Sequence, residues 1–380
     1  MKISPKADIL FTLFATLLAP ARFAAGQTAA AGKVILVGLS AEFSGQSIAK
    51  EGTAGAQAYF NYVNKRGGIF DRRIELKSYD DGRDIKRTVQ NTEKLINEDK
   101  VFALFGYRST PSVEAALPIL TAAHVPLIAP MSGAQQIREP LNPLVFNLRA
   151  SYQDEARQII EQLDTVGFRK IAILYQDDPF GKDALAGFQK YMKERKLVPL
   201  IASKYDRRDL NVSASVKAIA GVNPQAIVMG CTPKACADFI KQIRATGLTP
   251  QFFLLSNVTS DEFVQSLGKD GWGVGISQVV PYPWGVGLPL LNEFRQAIKD
   301  AAQPVPISYA SFEGFIAAKL LGEGLRLAGP NPTREKLAAA LEGMRDFDLG
   351  GFTVRYSPTQ HNGSSFVDLT VIGKNGKIMR

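Results

Sequence analysis

Short apolar, β-branched runs alternate along the chain with stretches whose apolar residues recur at helical spacing. Lys33 to Leu39 (KVILVGL) is the first such run and predicts a strand. Glu51 to Arg66 follows as a helix, with Ala54, Ala58, Tyr59 or Phe60, and Val63 on one face and Gly67-Gly68 ending it. Arg73 to Tyr79, Val101 to Phe105 and Val125 to Ala129 are predicted strands. Between them lie a helix capped by Asp84 and a helix starting at Ser109 with Pro111 in its first turn. The rhythm restarts after Arg149. Helices over Tyr152 to Val166, Phe180 to Arg195, Leu210 to Ala220 and Pro233 to Thr246 alternate with strands over Lys170 to Tyr175, Leu197 to Ser203, Ala226 to Met229 and Gln251 to Leu255. Strand–helix alternation of this kind builds parallel sheets covered on both faces, so two runs predict an α/β chain of two lobes.

The tail departs from this pattern. Gly275 to Val280 reads as a strand. Three helices follow, Leu290 to Ala302, Ser308 to Ala328 and Arg334 to Met344, and then two strands, Ser365 to Ile372 and Lys377 to Met379. The tail is expected to return to the first lobe and then to the second. That places 33–148 with 281–350 in lobe 1, and 149–280 with 351–380 in lobe 2, with a cleft between them.

The N-terminus reads differently. Lys2 and Lys6 precede the apolar run Ile9 to Ala19, and Ala24-Ala25-Gly26 supplies small residues for a peptidase. This is the layout of a secretory signal peptide over 1–26, with Ala31 as the alternative cut. The run is too short for a membrane span, which needs about 20 apolar residues. With no cysteine near the cut, an unanchored periplasmic protein is expected.

The chain carries a formal charge of +9, of which the leader's Lys2, Lys6 and Arg22 against Asp8 supply +2. No block of Lys or Arg exceeds two residues, so the basic stripe of a nucleic-acid binder is missing. The only cysteines, Cys231 and Cys236, either pair in an oxidising compartment or stay as thiols. Two distant histidines, His124 and His361, do not complete a zinc framework with them. No cofactor is expected.

Ligands of open parallel sheets bind beyond the carboxyl ends of the strands. In the first half those positions are Ser40 to Ser47, Gly106 to Thr110 and Pro130 to Gly133. In the second they are Gln176 to Phe180, Gly230 to Thr232, and Ser256-Asn257. Ser109 and Thr110 sit at a helix N-terminus, where free N–H groups and the dipole favour a carboxylate. Ser132 and Gly133 offer a second set. Ser109 also reads as a plain helix cap, and Arg108 as either an anion contact or a solvated side chain. Tyr107, Tyr152, Phe180 and Tyr282 are candidates for an apolar wall. Asp80-Asp81 and Asp177-Asp178 resemble paired acids but fit turns and caps more simply. No Gly-x-Ser-x-Gly elbow, His-Glu-x-x-His or phosphate-binding loop occurs, so catalysis is not expected.

One ordered series of short motifs resembles a known family. It runs Phe43-Ser44-Gly45, Gly55-Ala56, Tyr59-Phe60-Asn61, Gly67-Gly68-Ile69, Tyr79-Asp80-Asp81-Gly82, Phe105-Gly106, Val125 to Pro130, Phe146-Asn147-Leu148-Arg149 and Tyr175-Gln176-Asp177-Asp178. The series resembles the extracellular ligand-binding receptors, a family typified by the leucine/isoleucine/valine-binding proteins of ABC importers. The resemblance implies a type I periplasmic binding fold: two Rossmann-like lobes joined by three strands and closing on a ligand. It implies a monomer that carries an amino acid or similar small carboxylate to an inner-membrane permease and ATPase. A sensor or chemoreceptor is the alternative destination. Carried over, the carboxylate-binding hydroxyl falls on Thr110 with Ser109 beside it, and a second contact near Ser132 and Gly133. Asp154 matches an acidic position at the first crossover, and Phe180 replaces a packing tyrosine. The acid that holds a ligand ammonium appears as Ser256, and a pocket tyrosine as Thr232. A buried ammonium without a partner is costly, so the ligand either lacks an amine or finds Asp154 or Glu42.

Overall fold

The computed structural model describes Met1, residues 34–44 and residues 48–380. The rest of the expected leader and the start of the first strand at Lys33 lie outside the described residues, as do Gly45 to Ser47.

The first sheet is built from β1 (Val34–Ala41), β2 (Arg73–Asp80), β3 (Ala103–Phe105), β4 (Leu127–Ile128) and β5 (Val145–Phe146). Helices α1 (Ile48–Asn64), α2 (Ile85–Asn97) and α3 (Thr110–Ala122) connect its early strands. The strand order is β2-β1-β3-β4-β5, all parallel. β1 and β3 are buried on both faces, which is why they read as continuous apolar runs rather than alternating ones.

The chain then crosses into α4 (Tyr152–Thr165). Strands β6 (Ile171–Gln176), β7 (Ala202–Tyr205), β8 (Ala226–Gly230), β9 (Gln251–Leu254) and β10 (Gly275–Gln278) alternate with α5 (Pro179–Glu194), α6 (Ser213–Gly221), α7 (Pro233–Ala245) and α8 (Asp261–Leu267). Next come α9 (Pro289–Lys299), α10 (Tyr309–Ala328) and α11 (Arg334–Glu342). α9 and α10 pack on α1, and α11 packs on α10. The α1–α10 approach needs glycine: a Cβ on Gly55 falls 1.8 Å from the Ser311 carbonyl oxygen, and one on Gly314 falls 1.9 Å from that of Gly52. A small antiparallel pair, β11 (Phe347–Asp348) and β12 (Thr353–Val354), precedes β13 (Asp368–Ile372) and β14 (Ile378–Met379). The last two join the second sheet, whose order is β14-β13-β10-β9-β8-β6-β7.

Three segments therefore cross between the sheets, after β5, after β10 and after β12. The first and third pair with each other. Asn147 N donates to the His361 carbonyl at 2.8 Å, and Gly363 N donates to Asn147 O at 2.7 Å. His361 is buried here, stacked on Phe146 at 4.1 Å, with Nδ1 donating to Val145 O.

Several expected elements shift. The strand placed over Leu197 to Ser203 begins only at Ala202. Pro199 removes a donor from the ladder, and Val198 and Leu200 are exposed at the edge of the sheet. The helix placed from Leu210 begins at Ser213. Leu210 has a φ of 56°, and the Asn211 side chain accepts from Ser213 N, so a turn takes the first positions. α8, β5 and the β11–β12 pair were not expected. The cysteines are joined: Cys231 and Cys236 form a disulfide that ties the end of β8 to the first turn of α7.

Candidate functional site

In each sheet the strand order reverses beside one strand, β1 in the first and β6 in the second. A crevice outside the carboxyl ends follows from that reversal. The two crevices face one another across a cavity of about 500 Å³, which has walls from both lobes. Glu42 after β1, Asp81 and Arg83 after β2, and Arg108 to Ser112 after β3 line one side. Gln176, Asp178 and Phe180 after β6, Arg207 after β7, Thr232 after β8 and Asn257 after β9 line the other.

The lobes touch across this cavity through arginines. Arg108 Nη2 donates to Asn257 O at 3.0 Å. Arg207 Nη2 donates to Arg83 O at 3.1 Å. Arg83 lies 3.9 Å from Glu42, and Arg207 lies 3.6 Å from Asp178. Arg108 makes no ion pair with any described residue. Burial pushes its guanidinium down to about 10, so its charge is held at a cost that a bound anion would relieve.

The acids of the wall are engaged. Asp81 accepts from Ser40 Oγ, Thr88 Oγ1 and Arg83 N. Asp178 caps α5 through Gly181 N and accepts from Gln176 Nε2. Burial raises the carboxyls of Asp81 and Asp178, and also that of Glu42 against the pull of Arg83 and Arg108. Asn257 Nδ2 donates to Cys231 O, which leaves its buried Oδ1 with no partner among the described residues. Such an orphan acceptor suits a ligand N–H or O–H.

At the mouth of α3, Ser109 has a φ of 72° and makes no side-chain cap bond. Its hydroxyl donates weakly to Ser112 Oγ at 3.3 Å. The N-terminal N–H groups of α3 are therefore not closed off by that side chain. Thr110 is fully buried, and its Oγ1 sits 2.8 Å from Ser132 Oγ. Tyr152 and Phe180 meet edge to face, with centroids 5.0 Å apart, as the apolar part of the lining.

The model of a family described as periplasmic binding protein matches residues 34–377. The chain belongs to the periplasmic binding protein family. A solved substrate-binding periplasmic protein from Ralstonia solanacearum is 35% identical, covers 91% of this chain and 99% of its own, and superposes with a TM-score of 0.85. A possible leucine/isoleucine/valine-binding protein from Rhodopirellula baltica is 28% identical over 91% and 96%, with a TM-score of 0.86. An amino acid binding protein of Pseudomonas aeruginosa is 21% identical over 292 residues, 75% of this chain and 78% of that one. The fold is thus the type I periplasmic binding fold, and the role is solute binding.

In this periplasmic binding protein six of the expected site residues line the cleft cavity: Arg108, Ser109, Thr110, Tyr152, Phe180 and Thr232. Five lie elsewhere. Tyr107 is fully buried under β3, with its hydroxyl bonded to Thr92 Oγ1. Ser132 stands one hydrogen bond behind Thr110. Gly133 packs beneath Tyr152 and accepts from its backbone N–H. Asp154 forms the capping box of α4 with Ser151. Ser256 is locked into a buried network, donating N–H and hydroxyl to Glu155 and accepting from Arg149 Nη2. Tyr282 likewise packs against Trp284 and Tyr309 rather than on the cavity.

Arg83 and Arg207 were missed. Both follow edge strands, β2 and β7, whereas the strand-end positions expected from the sequence follow inner strands. Asp81 and Asp178 were seen but assigned to turns and caps. Asp178 does cap α5 and Asp81 does hold a turn through Arg83 N, and both also line the cleft.

Proposed function

We propose that this protein captures a small carboxylate in the interlobe cleft and releases it to an ABC-type permease and ATPase in the inner membrane. The single observation that carries the carboxylate is Arg108: a guanidinium in the cleft with no ion-pair partner among the described residues, beside the N-terminus of α3. Closure follows from the same geometry. Only a closed cleft lets a ligand touch Arg108 and Thr110 from one lobe and Phe180, Thr232 and Asn257 from the other. The proposal includes export through the leader over 1–26, lobes divided at 148, 280 and 350, and action as a monomer.

An amino acid is the expected cargo of such a protein, and the relatives' names agree with it. A second reading is favoured by the acids of the cleft. Asp81 and Asp178 spend their lone pairs on protein donors, Asp238 pairs with Lys234, and Glu42 faces Arg83. An ammonium therefore competes for its counter-charge, whereas an acid without an amine does not. The orphan Asn257 Oδ1 serves a hydroxyl or amide donor in that case.

The experiment is a thermal-shift screen of refolded mature protein against amino acids and against aliphatic and aromatic acids lacking the amine. Ligand at 100 times its Kd stabilises by about 2.7 kcal/mol. The expected result is a shift with one of these classes that shrinks in Arg108→Gln. No shift with any carboxylate, or one undiminished by Arg108→Gln, would falsify the carboxylate reading.

A further inference from the structure

A second and larger cavity, of about 700 Å³, lies away from the cleft, where the first and third crossovers pass α4 and α5. Arg138 lines it. This residue is 4% exposed and makes no ion pair with any described residue. Its Nη2 donates to the carbonyls of Ser132 and Arg149, and its Nη1 to Asn362 Oδ1 at 2.9 Å. Its buried Nε has no partner among the described residues. A guanidinium carries five N–H groups in a planar fork suited to carboxylate or phosphate. Carbonyls hold part of that fork here, but they do not neutralise its charge. Lys190 lines the same cavity and also makes no ion pair with a described residue; its ammonium lies over the Tyr191 ring at 4.9 Å. Asp154, the only carboxylate among the described lining residues, is spent on Ser151 and on Arg157, which lies 3.8 Å away.

We infer that this hinge cavity is a second binding site, taking a small oxyanion — a carboxylate or a phosphate — on Arg138 and Lys190. A buried cation on which Asp154 and Asp183 act only from beyond ion-pair distance is costly, and an anion entering the cavity relieves that cost. The walls come from both lobes and from all three crossovers, so an occupant there touches the segments through which the lobes would have to move as the cleft opens. Its affinity and that of the cleft ligand are then linked reciprocally.

The test is calorimetric titration of the full mature chain with inorganic phosphate and, separately, with acetate, in chloride-free buffer. Wild type is expected to bind at least one of the two with a Kd at or below about 1 mM. Arg108→Gln, which removes the anion contact of the cleft, is expected to keep one saturable binding event for that anion, the one at the hinge cavity. Lys190→Ala is expected to weaken it about two- to fivefold, and Arg138→Gln by roughly tenfold or more. Phosphate alone binding identifies a phosphate site, and acetate binding a carboxylate site. Should Arg138→Gln fail to fold, Lys190→Ala and amide chemical shifts decide. Shifts at Gly363 and Ser364 support the site, and shifts confined to the cleft overturn it. No saturable binding of either anion overturns it, as does binding that Arg108→Gln removes and Lys190→Ala leaves intact.

Discussion

Arg108 and Arg149 are both arginines near the cleft, and their surroundings make them opposites. Arg149 is 2% exposed and sits between Glu155 at 3.7 Å and Glu313 at 3.6 Å. Burial works against its charge, but Glu313, Tyr152 and Glu155 together raise it. Glu155 comes from α4 and Glu313 from α10, so the trio joins the two lobes at the first crossover. Arg108 has no ion-pair partner among the described residues; it donates to the Asn257 carbonyl of the opposite lobe, with an open cavity beside it. Counter-charge, not residue type, separates the arginine that holds the hinge from the one that awaits a ligand.

The largest expected effect falls on Arg149. Arg149→Met leaves Glu155 and Glu313 buried without their cation, which costs about 3–5 kcal/mol. Denaturant unfolding should show that loss. Arg149→Met combined with Glu155→Gln should recover part of it, since the stranded charge is then gone. If the single variant is as stable as wild type, the trio is not what holds the crossover.

Arg108→Gln should do the reverse. Losing a charge-assisted bond to a carboxylate costs about 1.5–3 kcal/mol of binding, read by titration with the cleft ligand. Stability should change little, since no partner carboxylate is stranded. A large stability loss with unchanged affinity would collapse the distinction between the two arginines.

This distinction was only half legible in the sequence. The sheets were, because their strands are buried on both faces and read as unbroken apolar runs, as in Ile171 to Leu174. The return of the tail was legible as a break in the strand–helix rhythm at Pro281. Helix starts and strand starts were less so where turn chemistry intervened, at Pro199 and at Asn211. Within the site, position along the chain placed Arg108 and Thr110 beyond β3. It could not tell that Ser256 turns inward to Glu155, because Glu155 lies a hundred residues away and reads as an ordinary helical acid. Asp154, its neighbour, drew attention as the acid at the crossover, yet it caps α4 while Glu155 points into the core. Nothing local distinguishes them. Ser109 reads as a cap by residue type, but in the structure it has a φ of 72° and its hydroxyl makes no cap bond.

Glu42 sharpens the comparison from the acid side. Burial raises its carboxyl above 4.5, with Arg83 and Arg108 pulling the other way. A ligand anion placed on Arg108 adds repulsion and raises Glu42 further in the complex. Binding then takes up protons, so affinity should rise as pH falls from neutral toward Glu42's raised value. An ammonium placed against Glu42 lowers it in the complex instead, and affinity should fall over the same range. Glu42→Gln should flatten either slope. It should tighten an amine-free acid by about 0.5–1 kcal/mol and weaken an amino acid by a similar amount. Titrations across that range, on both proteins, read the sign.

The smallest effect belongs to Asp80, an exposed carboxylate held by N–H donors rather than by a cation. Its Oδ1 accepts from Phe43 N at 2.7 Å, from Gly82 N at 3.1 Å and from Ser44 N at 3.3 Å, which fixes the loop that carries Glu42. The Phe43 bond, with lesser help from Gly82 and Ser44, holds its carboxyl below the usual 3.8. A lowered acid stabilises the fold above its unfolded pKa, and that stability is lost as pH falls through the folded value. Asp80→Asn should therefore remove less than about 1 kcal/mol at neutral pH, given its exposure. It should also make unfolding less sensitive to acid below 3.8. Urea midpoints for both proteins at neutral pH and below 3.8 measure this. Parallel midpoints across that range would mean that Asp80 does not hold the loop that carries Glu42 into the cleft.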